Sequence, residues 1–131
     1  MKVLHVLAQL PVKTGSGVYF TNVIDGLKNY EVEQAAIYGT TPEYEFNILD
    51  TVYEVEFEGE DINFPIVGMS DVMPYNNTLY KNMSENMMTT WQNAFRKKLL
   101  KAKEEFKPDV VITHHLWILS SIVCEIFTDE K

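Results

Sequence analysis

The first forty residues constrain the fold tightly, because strand-like and helix-like patterns alternate there around a glycine loop. Residues 3–8 form a short apolar run that is typical of a strand covered on both faces. Residues 11–17 contain a proline and two glycines, and residues 18–30 then carry apolar side chains at helical spacing. A second strand-like run, residues 32–38, ends at Gly39. Strand, loop, helix and strand in this order predict a right-handed βαβ unit, whose two strands must be parallel.

The remainder of the chain continues this alternation. Residues 50–57 alternate between apolar and acidic side chains, as in a strand with one wet face, whereas residues 59–75 lack a clear period. The pattern then predicts a long helix over 78–106, a strand over 109–113 and a closing helix over 116–127. We therefore expect a single α/β domain over residues 1–131, with a Rossmann-like open parallel sheet and helices on both faces.

The glycine loop contains Gly15, Ser16 and Gly17, directly after the first predicted strand. Ligands of open parallel sheets bind outside the carboxyl ends of the strands, and the start of a helix attracts phosphate or carboxylate groups. The two glycines are expected to let the backbone turn tightly and let an anion approach the amides. The spacing matches neither a Walker loop nor the dinucleotide fingerprint, because Phe20 stands where a third glycine is required. An ordinary strand-to-helix turn that needs glycine is the alternative.

Two adjacent histidines, His114 and His115, follow the last predicted strand and so fall at the same sheet edge. A histidine there could titrate near neutrality, donate a hydrogen bond to a hydroxyl or phosphate, or bind a metal. Neighbouring strand residues point to opposite faces, and no Cys or acidic residue has the spacing of a zinc set, so the sequence predicts no metal site. The alternative is structural, with one histidine packed under a helix start and the other solvated.

The charge pattern bears on possible partners. A net charge of −8 argues against nucleic acid as a partner. Residues 29–80 contain no Lys or Arg, whereas residues 81–107 contain seven. Among these, the segment RKKLLKAK begins at Arg96, ends at Lys103 and is expected to turn Leu99 and Leu100 toward the core. Its basic face could rest on anionic lipid as a peripheral membrane contact, or it could be a plain solvated helix face.

Two further features bear on metal binding and on the compartment. The acidic residues 54–61 lack the spacing of an EF-hand, and their alternation is interpreted as the wet face of an edge strand. Cys124 is the only cysteine, so no internal disulfide can form. The opening residues are too short and too polar for a signal peptide, and no segment is apolar over the length of a membrane span. These features together favour the cytoplasm.

Three segments carry a resemblance to a known family: MKVLHVL at the start, GSGVYFTNVIDGL after it, and PDVVITHHLW near the end. Together they resemble the N-terminal domain of the retaining GT-B glycosyltransferases, specifically glycosyltransferase family 4, also called glycosyl transferase group 1. The MSDVMPY and AFRKKL segments extend the likeness over most of the chain. The family often writes the end of the last strand as His-x-His, whereas Ile112 replaces the first histidine in this chain.

The resemblance implies an acceptor-side domain of an enzyme of carbohydrate biosynthesis. It implies that Gly15, Ser16 and Gly17 contact the phosphates of a nucleotide-sugar donor and that His114 is catalytic, donating a hydrogen bond to a sugar hydroxyl or to the acceptor. The remaining residues implied on the acceptor side, or in support of His114, are His115, Trp117 and Tyr75. The acceptor would be a sugar or a lipid-linked sugar, no cofactor would be needed beyond the donor substrate, and transfer would be independent of metal.

In that family a second, C-terminal domain binds most of the donor. Residues 1–131 contain no counterpart of its paired-glutamate motif, so the resemblance implies half of such an enzyme, which alone would not transfer sugar. The acidic pair and the second α/β domain are expected to be missing from this chain. Two alternatives stay open: a standalone binding or interaction domain without catalysis, and half of a GT-B sugar-nucleotide epimerase. A NAD enzyme is disfavoured by the failed dinucleotide fingerprint.

Overall fold

A computed structural model describes residues 1–115 and 117–128. In chain order the elements are strand β1 (Lys2–Val6), helix α1 (Gly15–Leu27), strands β2 (Glu33–Thr40), β3 (Val52–Glu56), β4 (Val67–Gly68) and β5 (Thr78–Leu79), a 3-10 turn (Tyr80–Asn82), helix α2 (Glu85–Glu105), strand β6 (Val110–Thr113) and helix α3 (Ile118–Ile126). The predicted order of strands and helices in the α/β domain is therefore confirmed. Two short strands, β4 and β5, were not predicted, and Leu116 of the predicted closing helix lies outside the described residues.

Four strands form one parallel sheet, in the order β3-β2-β1-β6. Strand β1 pairs with β2 on one side and with β6 on the other, with Val6 opposite both Ile37 and Thr113. Numbered by their order along the chain, the sheet strands run 3-2-1-4, which is the order in one half of a doubly wound fold. After β1 the chain adds β2 and β3 on one side of the sheet, and later it adds β6 on the other side of β1. The strand order therefore reverses between β1 and β6.

Each face of the sheet carries its own apolar cluster, because side chains alternate along the strands. Helix α1 buries Phe20 and Ile24 on one face, where they meet Leu7 of the β1 end and Tyr38 of β2. Helices α2 and α3 cover the other face, and their buried residues include Trp91, Phe95, Leu99, Ile122 and Val123. Helices thus lie on both faces of the sheet, as the sequence predicts.

Helix α2 begins later than its apolar pattern predicts. The pattern predicts a helix from residue 78, but Thr78 and Leu79 pair with β4 instead. The helix starts at Glu85, after Ser84, whose hydroxyl accepts a hydrogen bond from the Met87 amide at 3.1 Å. A serine cap of this kind fixes a helix start because it satisfies one of the otherwise unpaired first amides.

Two smaller predictions about packing are wrong. Gly39 does not end β2, which continues through it to Thr40 because both residues pair with β3, opposite Val55 and Glu56. Leu100 does not face the core but is 50% exposed, whereas its neighbour Leu99 is fully buried. Cys124 lies on α3, with its side chain exposed. Helical phase explains the Leu100 result, since adjacent helix residues cannot share one narrow face.

The glycine loop turns tightly at a position other than the predicted ones. None of the six glycines has a positive φ, and the left-handed conformation falls instead on Lys13, with φ 67°. Gly17 is needed for space: a Cβ there would lie 2.7 Å from the Val12 nitrogen and 2.9 Å from the Leu10 carbonyl oxygen. A Cβ on Gly15 would meet nothing within 4 Å. The fold therefore requires glycine at position 17 but leaves open space at position 15.

This contrast predicts opposite effects of two alanine substitutions on stability. Gly17→Ala should lower the free energy of unfolding by about 1–3 kcal/mol, because backbone atoms must move to accept the methyl group. Gly15→Ala should leave it unchanged or raise it by up to about 1 kcal/mol, as alanine favours helix. Urea unfolding followed by the fluorescence of Trp91 and Trp117 measures both values. Equal effects of the two substitutions would contradict this packing of the loop.

Candidate functional site

The start of helix α1 lies at the carboxyl edge of the sheet, directly after β1. Thr14 caps the helix, since its hydroxyl accepts a hydrogen bond from the Gly17 amide at 3.0 Å. The Val18 amide donates to the Thr14 carbonyl at 2.9 Å. The amides of Gly15 and Ser16 receive no such cap from the described residues, and they sit at the positive end of the helix dipole. This helix start can therefore accept an anionic group.

A buried glutamine borders the helix start. Gln9 is only 1% exposed, and its Oε1 lies 3.5 Å from the Ser16 hydroxyl. The Ser16 hydroxyl is in turn 3.2 Å from that of Thr14. The Gln9 Nε2 has no hydrogen-bond partner among the described residues. A buried amide group without a partner is unfavourable, so this N–H₂ group is a candidate donor to a ligand at the loop.

His114 lies beside the same helix start. Its amide donates to the Val6 carbonyl at 3.1 Å, which extends the β1–β6 pairing by one residue beyond β6. Its ring packs edge-on against Phe20 and Tyr19 of α1, with ring centroids 5.0 and 5.8 Å away. The residue is 9% exposed, and its Nε2 has no partner among the described residues. His114 and the glycine loop are thus brought together at one sheet edge.

The surroundings of His114 keep its imidazole neutral. Burial lowers the pKa of His114 to about 4, and the nearby His5 and His115 add to that effect. The ring is therefore uncharged near neutral pH, and its two nitrogens offer one donor and one acceptor. It can exchange hydrogen bonds with a hydroxyl group but adds no positive charge to a phosphate site. The His114 ring also packs against Tyr19 and Phe20 near the start of α1, as the structural alternative in the sequence analysis describes.

The other predicted site residues lie farther from the loop or on the opposite face. His115 is half-buried with φ 87°, and its carbonyl accepts a hydrogen bond from the Ser120 hydroxyl. Trp117 packs against Trp91 and Tyr80, with ring centroids 5.2 and 5.5 Å away. It belongs to the apolar cluster under α2 and α3, which is across the sheet from Phe20 and His114.

Tyr75 belongs to the same cluster as Trp117. Burial raises the pKa of Tyr75 to about 12, while the backbone of Leu10 beside its hydroxyl opposes that rise. This phenol therefore lies beside Leu10, in the loop that follows β1. The structure thus brings the glycine loop together with His114, and it leaves Trp117 on a separate aromatic surface.

His5 was not predicted as part of the site. It is fully buried on β1, and its ring packs edge-on against Phe20 at 6.2 Å, so Phe20 contacts both His5 and His114. Its Nε2 shares a hydrogen bond of 2.9 Å with the Gln34 side chain. Burial lowers the pKa of His5, and the Gln34 hydrogen bond partly opposes this. The signal in the sequence was a histidine in the middle of an apolar strand.

The basic segment between Arg96 and Lys103 is partly engaged within the chain. Arg96 pairs with Glu125 at 3.0 Å, Lys98 lies 3.8 Å from Asp61, and Lys103 donates to the Ile126 carbonyl. The outward-facing part of α2 therefore includes Lys97, Leu100 and Lys101, which are exposed. Contact with a membrane surface stays a prediction. Within the described residues, no helix has both the length and the apolar character needed to cross a bilayer.

A cleft of about 440 Å³ lies at the carboxyl ends of β2 and β3. One of its lining residues, Tyr44, accepts a hydrogen bond from Lys13 in the loop before α1. None of the predicted site residues lines the cleft. Its lining includes Glu54 and Glu56, which the sequence analysis interpreted as the wet face of an edge strand. Both are only partly exposed, so these carboxylates face a concave surface rather than open solvent.

Comparisons of the chain with protein-family models, with curated proteins and with solved structures find no match.

The burial of His114 predicts a dependence of stability on pH. Its folded-state pKa of about 4 lies below the ordinary value of 6.5, so the unfolded chain binds the proton more readily. The stabilisation is complete above pH 6.5 and is lost as the pH falls toward 4, by up to roughly 3 kcal/mol. Urea unfolding of the wild type and of His114→Gln at several pH values measures this contribution of His114 to the free energy of unfolding.

The variant should show a shallower decline in stability below pH 6.5, because His5, His115 and all carboxylates titrate in both proteins. Only the difference between the two profiles reports on His114. Parallel profiles for the two proteins would mean that His114 titrates like a solvated histidine, which contradicts its burial against α1.

Proposed function

We propose that this chain is the acceptor-side domain of a glycosyltransferase that moves a sugar from a nucleotide-diphosphate sugar to an acceptor with retention. The observation that carries the proposal is the parallel junction between β1 and β6. It brings the start of α1 and the His114 ring to the point where the strand order reverses. Ligands of open α/β sheets bind in the crevice at such a reversal.

The start of α1 would hold the diphosphate of the donor. Its first amides and the positive end of the helix dipole favour a negatively charged group. Because Gly15 has open space where a Cβ would lie, a phosphate could approach its backbone closely. Negative charge develops on the diphosphate as the sugar leaves, and fixed N–H dipoles stabilise such charge most effectively in a site that excludes water.

His114 would contact the transferred sugar or the acceptor. A neutral imidazole with an unpartnered Nε2 can exchange a hydrogen bond with a hydroxyl group. Its ring is held by Phe20 and Tyr19, both in the first two turns of α1. The helix that would bind the diphosphate therefore also orients His114, so a donor bound at the helix start would lie next to the imidazole. Rate would come from holding donor and acceptor together and from stabilising the leaving diphosphate.

The donor diphosphate is the part of the proposal that this chain can test alone. In the proposed enzyme most of the nucleotide would be held by a second domain, so the chain should bind uridine or guanosine diphosphate weakly and should not transfer sugar. Isothermal titration calorimetry with each nucleoside diphosphate, and with inorganic pyrophosphate, measures the affinity. Binding of pyrophosphate together with both nucleotides is expected, because the site would recognise the diphosphate.

Two substitutions at one position provide the matched control. Gly15→Asp adds a negative charge at a helix start, where the fold tolerates it well, and should weaken diphosphate binding at least tenfold through repulsion. Gly15→Asn adds a side chain of the same shape without charge and should weaken it less. Equal affinity of the wild type and Gly15→Asp would exclude the helix start as the phosphate site.

A further inference from the structure

The cleft at the carboxyl ends of β2 and β3 has the size of a small-molecule site. Its volume of about 440 Å³ is within the usual range of ligand pockets. Glu54 and Glu56 project into it from the edge strand β3, on the face of the sheet opposite α2. The loop after β2 forms a second wall with Thr41, Tyr44 and Phe46. Three kinds of group, carboxylate, hydroxyl and aromatic ring, thus converge on one concave surface.

The charge of the cleft is strongly negative. Five acidic residues line it, and Lys98 is its single basic residue. Lys98 lies 3.8 Å from Asp61, whose other oxygen accepts a hydrogen bond from the Glu56 amide at 2.8 Å. The Glu56 side chain in turn accepts a hydrogen bond from the Glu60 amide. Asp61 and Glu56 are thus engaged within the loop, which leaves Glu54 as the half-buried carboxylate with the least compensation.

Electrostatics identify Glu54 as the group that needs a cation. Burial raises the pKa of Glu54 above its ordinary value and Glu56 adds to the rise, whereas Tyr38 and Lys98 only partly oppose it. A positive group bound beside Glu54 would relieve this unfavourable charge. Within the described residues, no group of three or more His, Cys, Asp or Glu side chains is placed to hold a metal ion. An organic ammonium group needs no such cage.

The other wall of the cleft is suited to a hydroxylated ligand. Thr41 is 7% exposed, and its hydroxyl has no hydrogen-bond partner among the described residues. A buried hydroxyl in this position can both donate to and accept from a ligand hydroxyl. Tyr44 and Phe46 stack in parallel, with ring centroids 5.5 Å apart and an angle of 8° between the rings. The Lys13 ammonium lies over the Tyr44 ring, 5.3 Å from its centroid, so this aromatic pair offers apolar contact to a ligand ring rather than a second cation site.

We propose that this cleft binds a small polyhydroxylated amine, such as an amino sugar, with its ammonium group at Glu54 and a hydroxyl group at Thr41. Tyr44 connects the cleft to the glycine loop, because its hydroxyl accepts a hydrogen bond of 2.8 Å from Lys13. The ligand would therefore lie beside the diphosphate site. Its role as the sugar acceptor rests on the proposed function, whereas its binding rests on the cleft alone.

Three sugars that differ at one position test the proposal: glucosamine, which carries an ammonium group, glucose, which carries a hydroxyl, and N-acetylglucosamine, whose amide is neutral. Titration at neutral pH followed by ¹H–¹⁵N NMR reports both the affinity and the responding residues. Glucosamine should shift the amides of residues 40–41, 43–46 and 54–56 and bind at least tenfold more tightly than glucose. Equal affinity for the three sugars, or no shift in these residues with glucosamine, would overturn the proposal.

Two variants separate the charge of Glu54 from the general acidity of the loop. Glu54→Gln should reduce glucosamine binding to the level of glucose, while Glu43→Gln, an exposed neighbour outside the cleft, should leave it unchanged. An equal loss of glucosamine affinity in both variants would mean that long-range charge, and not contact with Glu54, causes the loss. That result would overturn the assignment. The comparison of the three sugars uses only the wild type, so it stands even if Glu54→Gln fails to fold. Diphosphate binding at Gly15 is measured separately, and either result can fail without the other.

Discussion

The parallel pairing of β1 with β6 is the interaction on which the rest of the molecule depends. It joins the first strand to a strand more than a hundred residues later, and the His114 amide extends it through a 3.1 Å hydrogen bond to Val6. Because both strands end at the same edge, the loop after one and the histidine after the other meet there. Without this pairing, His114 would not lie against Tyr19 and Phe20 of α1.

The carboxyl edge is divided electrostatically into two regions. At the β1–β6 junction a helix start presents N–H groups and a neutral imidazole, which suit an anion with hydroxyl groups nearby. At the ends of β2 and β3 the acidic cleft repels anions and favours a cation. Tyr44 and Lys13 link the two regions through one hydrogen bond. If both proposals hold, an anionic donor and a cationic acceptor would each be disfavoured by charge in the site of the other.

The sequence predicts the architecture well because strand and helix periods differ clearly in this chain. It fails where a local contact overrides the period. The Ser84 cap places the start of α2 at Glu85, seven residues beyond residue 78, where the apolar pattern begins, and pairing with β3 carries β2 through Gly39 to Thr40. The placement of residues 15–17 and His114 at one edge of the sheet was predictable, since it follows from parallel pairing alone. The cleft was not, because alternating acidic residues look the same on an exposed edge strand as on a wall that a distant loop covers. His5 was visible as a polar residue in an apolar strand, but its contact with Phe20 requires the fold.

The central claim is that the start of α1 and His114 border one ligand, and side-chain ¹⁵N NMR of the histidines tests it most directly. Titration with uridine diphosphate should shift the His114 ring nitrogens together with the Gly15 and Ser16 amides, with the same half-saturation concentration. The ring nitrogens of His5, which is fully buried and packs against Phe20, should shift much less. A response of the loop amides with an unchanged His114 ring would contradict the account, because the imidazole would then be only a packing residue beneath the helix.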